Sequence, residues 1–196
     1  MGPITSLRSL ILHYSLPLQY FITKVAMPER RACANWVRRI EKICQPGDIL
    51  VSHEKWHLSN LTIPGFYSHA AFMVAQNEVV EALPHGVVKT DLIDFVMKKD
   101  FIAVVRPSGV TPEEKKMAVR DALSLIGKPY DFMFSYSPDK QANRAFYCSE
   151  IPYFCYRDTR WAKTFIPRVV LGEFTIAPQD YYDATSGPKL DLVIEL

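Results

Sequence analysis

Three residues, far apart in the chain, have the types needed for thiol chemistry: Cys148, His69 and Glu81. Cys148 ends the short apolar approach Ala145-Phe146-Tyr147 and stands before Ser149-Glu150-Ile151, where a helix is expected to begin. A thiol at a helix N-terminus feels the positive end of the dipole and the backbone N–H groups there. That setting favours the thiolate, the reactive form of cysteine. A cysteine alone is more often packing than chemistry, so the chain must also supply a base and a group to orient it. His69 opens the apolar run Ala70-Ala71-Phe72-Met73-Val74, directly after Tyr67-Ser68. A histidine at the end of a strand can face a cleft while the strand holds it rigid. Glu81 lies in Val79-Val80-Glu81-Ala82-Leu83, and strand alternation puts it on one face with Val79 and Leu83. A carboxylate among apolar neighbours is costly unless paired. A hydrogen bond to His69 on the preceding strand would remove that cost, with Glu78 as a rival for the role.

In this arrangement His69 takes the proton of Cys148, the thiolate attacks a carbonyl, and an acyl-enzyme forms. The backbone N–H of Cys148 is a natural oxyanion donor, and the hydroxyls of Tyr147 and Tyr67 are further candidates. His53 and His57 have H-x-x-x-H spacing, but no acidic or cysteine pair follows, so neither a metal nor another cofactor is expected.

The elements that must position these residues can be read along the chain. Residues 1–27 form an apolar extension, and Glu29 to Cys44 carries Ala32, Trp36, Val37, Ile40 and Ile43 at helical period, closed by Pro46-Gly47. Domain organisation follows as a helical extension over 1–45 and a catalytic domain over 46–196. Strands are expected at 48–52, 69–74, 78–83, 87–88 and 101–105, with Ala75-Gln76-Asn77 turning a hairpin. A short helix is expected over 91–99. Thr111-Pro112-Glu113-Glu114 is a capping box with proline at the first helical position. That helix should run to Ile126, burying Met117, Val119, Ala122, Leu123 and Ile126, and stop at Gly127. A short helix at 180–184 and a strand at 190–194 close an α+β pattern.

Five stretches occur in a telling order: Gly47-Asp48-Ile49-Leu50, Tyr67-Ser68-His69-Ala70-Ala71, Val80-Glu81-Ala82, Gly127-Lys128-Pro129-Tyr130-Asp131 and Phe146-Tyr147-Cys148-Ser149-Glu150. In this order and spacing, over about residues 46–185, the chain resembles the circularly permuted branch of the NlpC-type papain-like superfamily, the YaeF/YiiX-like amidases. The resemblance implies a permuted papain-like α+β fold, an antiparallel barrel-like sheet packed on a Cys-bearing helix. It implies Cys148 as nucleophile, His69 as base and Glu81 as the third polar group. Asp48 and Asp131 match motif positions and are read as structural or cleft-lining. The activity implied is that of a cysteine hydrolase, an amidase or peptidase. Alternatives on the same fold are a lipid-directed acyltransferase or phospholipase, which Phe132-Met133-Phe134 and the apolar N-terminal segment would suit, and a non-catalytic binding module.

Composition bounds the rest. The 196 residues suit one core, and 48% apolar against 22% charged residues is ordinary for a globular chain. A formal net charge of +2 lacks the basic excess of a nucleic-acid binder. As partners the resemblance and its alternatives imply a small peptide, an amide or a lipid-like substrate, and no nucleic acid. Four cysteines, none in C-x-x-C spacing, read as free thiols of a reducing compartment. No secretory signal or membrane span stands out, which implies a cytoplasmic location, with the N-terminal segment offering a peripheral membrane contact.

Overall fold

The computed structural model describes residues 33–55, 60, 63–134, 144–165, 168–170 and 173–196. The N-terminal extension, the first turn of the expected helix from Glu29, His57 and the Ser137–Lys140 loop lie outside the described residues.

The sheet is built from six strands: β1 (Ile49–His53), β2 (His69–Ala75), β3 (Glu78–Leu83), β4 (Gly86–Asp91), β5 (Phe101–Pro107) and a last strand, Leu190–Glu195. It is antiparallel throughout, in the order β4-β3-β2-β1-β5 and then the last strand. The barrel-like sheet expected from the sequence is thus an open one among the described residues, with β4 and Leu190–Glu195 at its edges. Helices cover both faces. On one side α1 (Ala34–Ile43) and α2 (Leu92–Val96) bury Val37, Ile40 and Phe95 against Leu50, Ala71, Met73 and Val79. On the other, α3 (Pro112–Ser124) and α4 (Glu150–Cys155) bury Ala118, Ala122, Ile151 and Phe154 against Val51, Phe72 and Val80. Because both faces are buried, β1 and β2 are almost continuously apolar rather than alternating. The chain continues through α5 (Arg160–Thr164), the small hairpin β6 (Arg168–Val170) and β7 (Glu173–Thr175), and α6 (Pro178–Asp183), before Leu190–Glu195, now β8.

Local signals explain the boundaries. The side chain of Thr111 accepts from Glu114 N at 3.2 Å, and Glu114 accepts from Thr111 N at 2.7 Å, so the capping box starts α3 as expected. The buried face of α3 matches expectation only at Ala122 and, in part, at Val119. Met117, Leu123 and Ile126 are 51%, 41% and 42% exposed, while Ala118, Ala122 and Leu125 are buried. The helix lies close to β2, and small alanines permit that approach where larger residues would not. Asp91 caps α2 by accepting from Ile93 N at 2.8 Å.

Gly47-Asp48 holds the start of β1. Gly47 has φ +98°, and a Cβ there would stand 2.6 Å from the Tyr156 hydroxyl, which donates to Gly47 O at 2.7 Å. Asp48 is fully buried and takes two hydrogen bonds from Arg106, Nε to Oδ1 at 2.7 Å and a terminal nitrogen to Oδ2 at 2.8 Å. Gln45 N adds a third at 2.8 Å. Asp48 is therefore a strut between β1 and β5. Arg106→Ala leaves this carboxylate buried without its cation. The expected cost is about 2 kcal/mol in urea unfolding, below that of a wholly buried pair because the guanidinium is partly exposed. An unchanged midpoint would remove Asp48 from the list of structural anchors.

Candidate functional site

The β2–β3 register decides which carboxylate meets the histidine. Ala71 pairs with Glu81, so His69, two residues earlier on β2, is the diagonal neighbour of Glu81. Their side chains meet: His69 Nε2 donates to Glu81 Oε2 at 2.7 Å. An ionised carboxylate can only accept, so Nε2 carries a hydrogen and Nδ1 is the nitrogen left for the thiol. On the other side β4 pairs Val88 with Glu81, which makes Thr90 a second diagonal neighbour. Thr90 Oγ1 donates to Glu81 Oε1 at 2.6 Å. Both oxygens of Glu81 are thus held from adjacent strands. Glu78 instead pairs with Lys89 at 2.8 Å, beyond a register shift between Met73 and Ala75.

Cys148 is 2% exposed and sits in the turn that leads into α4, with Ser149 at the N-cap. Its neighbours are locked on both sides. Ile176 N donates to the Tyr147 hydroxyl at 3.1 Å, and the Ser149 hydroxyl donates to Ile176 O at 2.6 Å. The Tyr181 hydroxyl donates to Ser149 O at 2.6 Å. Ahead of the cysteine, Phe146 N donates to Pro129 O at 2.9 Å and Asp131 N donates to Phe146 O at 3.0 Å. The Lys128–Asp131 stretch is therefore a backbone partner that lays Phe146, and so Cys148, in place.

The thiol hydrogen bonds with His69, and backbone groups of Ala70 and Ser149 bond to it as well. His69 thus joins two sets of residues. Cys148 packs in the cluster of α3 and α4, while Glu81 lies on the sheet face that carries α1 and α2. The first residue of a strand is where one ring can reach both.

The charges follow this geometry. Burial alone would raise the Cys148 pKa, but the nearby His69 charge, the hydrogen bond to it and the two backbone groups bring it below the ordinary thiol value. For His69, burial and the Lys99 charge pull downward, yet the Cys148 charge and hydrogen bond, with Glu81, push it up to about 9. Burial would raise Glu81, but its bond to and charge attraction for His69, then Lys99 and Thr90, bring it down to about 2. All three shifts favour a thiolate–imidazolium–carboxylate state. The other buried thiols go the opposite way: burial first, then Asp48, pushes Cys44 up to about 12, and burial raises Cys155 well above its ordinary value. All four cysteines are free.

The remaining sequence-derived site residues are dispersed. The Tyr67 hydroxyl donates to Glu195 Oε1 at 2.8 Å, on β8. The Tyr147 hydroxyl is occupied by Ile176 N, as above. Asp131 Oδ1 accepts from Met133 N at 2.8 Å, an Asx turn that shapes the Phe132–Phe134 segment. Phe134 lies 5.5 Å from the Tyr147 ring, and Met133 is exposed. His53 Nδ1 donates to Phe66 O at 2.6 Å, and the ring stacks on the Phe66 ring at 4.4 Å. Among the described residues no group of three metal-ligating side chains forms.

Two contributors went unseen in the sequence. Thr90 is a polar residue on a short strand, and only the β3–β4 register reveals its aim. Tyr130 packs against the same cluster as Cys148, and burial followed by the Cys148 charge keeps its hydroxyl protonated. A cleft of about 320 Å³ lined by Ser108, Arg160, Trp161 and Lys189 lies at the opposite end of β5 and is separate from this site.

Comparison with known proteins places this geometry in context. Residues 43–185 match the family described as permuted papain-like amidase enzyme, YaeF/YiiX, C92 family. The chain is also similar to the uncharacterized protein YiiX of Escherichia coli (strain K12). The two are 33% identical over 99 residues, covering 47% of this chain and 46% of that protein. The chain thus spans about half the length of the curated relative it matches. No solved structure matches it.

Proposed function

The chain belongs to the permuted papain-like amidase family, YaeF/YiiX, and on that premise we propose that it is a cysteine hydrolase cutting an amide bond through Cys148, His69 and Glu81. The observation that carries the proposal is the hydrogen bond of His69 Nε2 to a buried Glu81, itself held by Thr90, which leaves Nδ1 for Cys148. In keeping with it, Cys148 is drawn toward the thiolate while Cys44 and Cys155 are driven away from it. A buried structural thiol behaves like the latter two.

The reaction starts from the ion pair. The Cys148 thiolate attacks the amide carbonyl carbon, forming a C–S bond and an oxyanion. The backbone N–H of Cys148 is the proposed donor to that oxyanion. Collapse breaks the C–N bond, and protonated His69 gives its proton to the departing nitrogen. A thioester remains on Cys148. Water then adds to it, losing a proton to His69, and the C–S bond breaks to release a carboxylic acid and restore the ion pair. Glu81 keeps the imidazole in the tautomer that presents Nδ1 to sulfur and stabilises its charged form, and Thr90 keeps Glu81 in position. The family points to a peptide or amide as substrate. No helix among the described residues is long and apolar enough to cross a membrane.

The test is incubation with peptide and isopeptide fragments, and in parallel with phosphatidylcholine vesicles, followed by mass spectrometry of products and of the protein. The expected result is released amine, with an acyl mass on the peptide containing Cys148. Fatty acid release from the vesicles with no amine release would replace the amidase reading with a lipid one. A mass adduct on Cys44 or Cys155 instead would remove Cys148 from the reaction.

A further inference from the structure

Lysine is among the residues least often fully buried, because its ammonium loses water on burial. Lys99 is 4% exposed. It lies just after α2, in a segment tied to β1: Lys99 N donates to Val96 O at 3.0 Å, and Asp100 N donates to His53 O at 3.0 Å. Asp100 also accepts from Lys55 N at 2.8 Å. The backbone at Lys99 is therefore held from both sides. The Lys99 Nζ donates to Glu54 Oε1 at 2.5 Å and stands 4.9 Å from the centre of the Phe95 ring. The same Phe95 ring lies 6.1 Å from the His69 ring. A buried cation thus sits one aromatic ring away from His69, in direct contact with the Glu54 carboxylate and within the field of Glu81.

We propose that Lys99 is a positioning residue of the site, whose fixed ammonium sets the field in which the His69–Glu81 pair holds its proton, with Glu54 setting how much of that field His69 feels. The role rests on the proposed assignment of His69 as the base. The titratable and charged groups facing His69 are Glu81 from β3, Cys148 from the turn before α4, and Lys99 from the segment after α2. Cys148 and Glu81 make the imidazolium more stable, and Lys99 opposes them. Unopposed, the ion pair would hold its proton too firmly to give it to a leaving amine. Lys99 keeps His69 able to release it, and at the same time holds Glu81 ionised.

The experiment follows the His69 ring by nuclear magnetic resonance, in the full chain labelled at histidine Cε1. The Cys148→Ala background keeps thiol ionisation out of the titration, and the His69→Gln spectrum assigns the signal. Lys99→Met removes the cation and leaves Glu54, so the midpoint of His69 should rise by on the order of one pH unit. Glu54→Gln leaves the cation without its contact carboxylate and should lower the midpoint. Lys99→Arg should leave it close to the parent. A purely structural role would not produce shifts of opposite sign. If Lys99→Met fails to fold, the downward shift in Glu54→Gln still decides the matter. A midpoint unmoved in Glu54→Gln, or raised by it, overturns the proposal. The titration needs no turnover, so it is separable from the amidase reading. Opposite shifts in a chain that hydrolyses nothing leave Lys99 in its role and remove the reaction. Unmoved midpoints in an active chain do the reverse.

Discussion

Cys148→Ala is expected to lower kcat/KM on an amide substrate by about 10⁴-fold or more, leaving only what binding and oxyanion contacts supply. The substitution should leave the fold intact. The lost side chain is small, and its flanking residues are held by their own bonds, Tyr147 to Ile176 and Ser149 to Ile176 and Tyr181. Circular dichroism and the unfolding midpoint should match the parent. His69→Ala should cost a comparable factor and should also slow alkylation of Cys148 by iodoacetamide near neutral pH, because the thiolate loses the charge that stabilises it. The pH profile of alkylation has a definite direction. Cys148 should react at pH values below the ordinary thiol midpoint of 9.0, while Cys44 and Cys155 stay silent there. A double variant should lose little beyond either single one, since the residues act as a unit. Full activity in Cys148→Ala would end the thiol mechanism outright. Equal alkylation of Cys148 and Cys155 would show that no primed thiolate exists.

How far the sequence revealed this arrangement depends on which interactions are local. The capping box at Thr111 and the β2–β3 hairpin are set by neighbours in the chain, and both occur where the pattern places them. The diagonal approach of Glu81 to His69 follows from that hairpin once its register is known, and register is what alternation alone leaves open. On α3 the hydropathy pattern favours Met117, Leu123 and Ile126 over Ala118, whereas the structure buries Ala118 beside the expected Ala122. Tertiary approach to β2 selected the small residues instead. The β6–β7 hairpin has strands of three residues, too short to leave a periodic signal. Lys98-Lys99-Asp100 falls at the end of the short helix expected over 91–99, and nothing in that pattern singles out Lys99. Only the fold places the middle residue of the three beneath Phe95.

The site is also a piece of the protein's stability, and this gives a second large effect. Glu81 is nearly fully buried, and its folded pKa of about 2 lies below an unfolded value of 4.5. A depressed carboxylate contributes stability that is complete above pH 4.5 and is lost as pH falls toward 2. At about 1.4 kcal/mol for each tenfold change in proton affinity, the contribution is about 3 kcal/mol. His69 has the opposite sign: raised from 6.5 to about 9, it contributes fully below pH 6.5 and loses that contribution as pH rises through 9. The two shifts describe one ion pair and are not summed. Its stabilisation is therefore greatest between about pH 4.5 and 6.5. Glu81→Gln keeps the shape and removes the charge. The gap in unfolding free energy between parent and variant should be about 3 kcal/mol at pH 5 to 6 and close steadily toward pH 2. Urea unfolding at intervals from pH 2 to pH 9 measures it. A gap that stays constant down to pH 2 would mean that Glu81 is not held ionised by His69, Lys99 and Thr90, and the orienting role given to it would have to pass to another group.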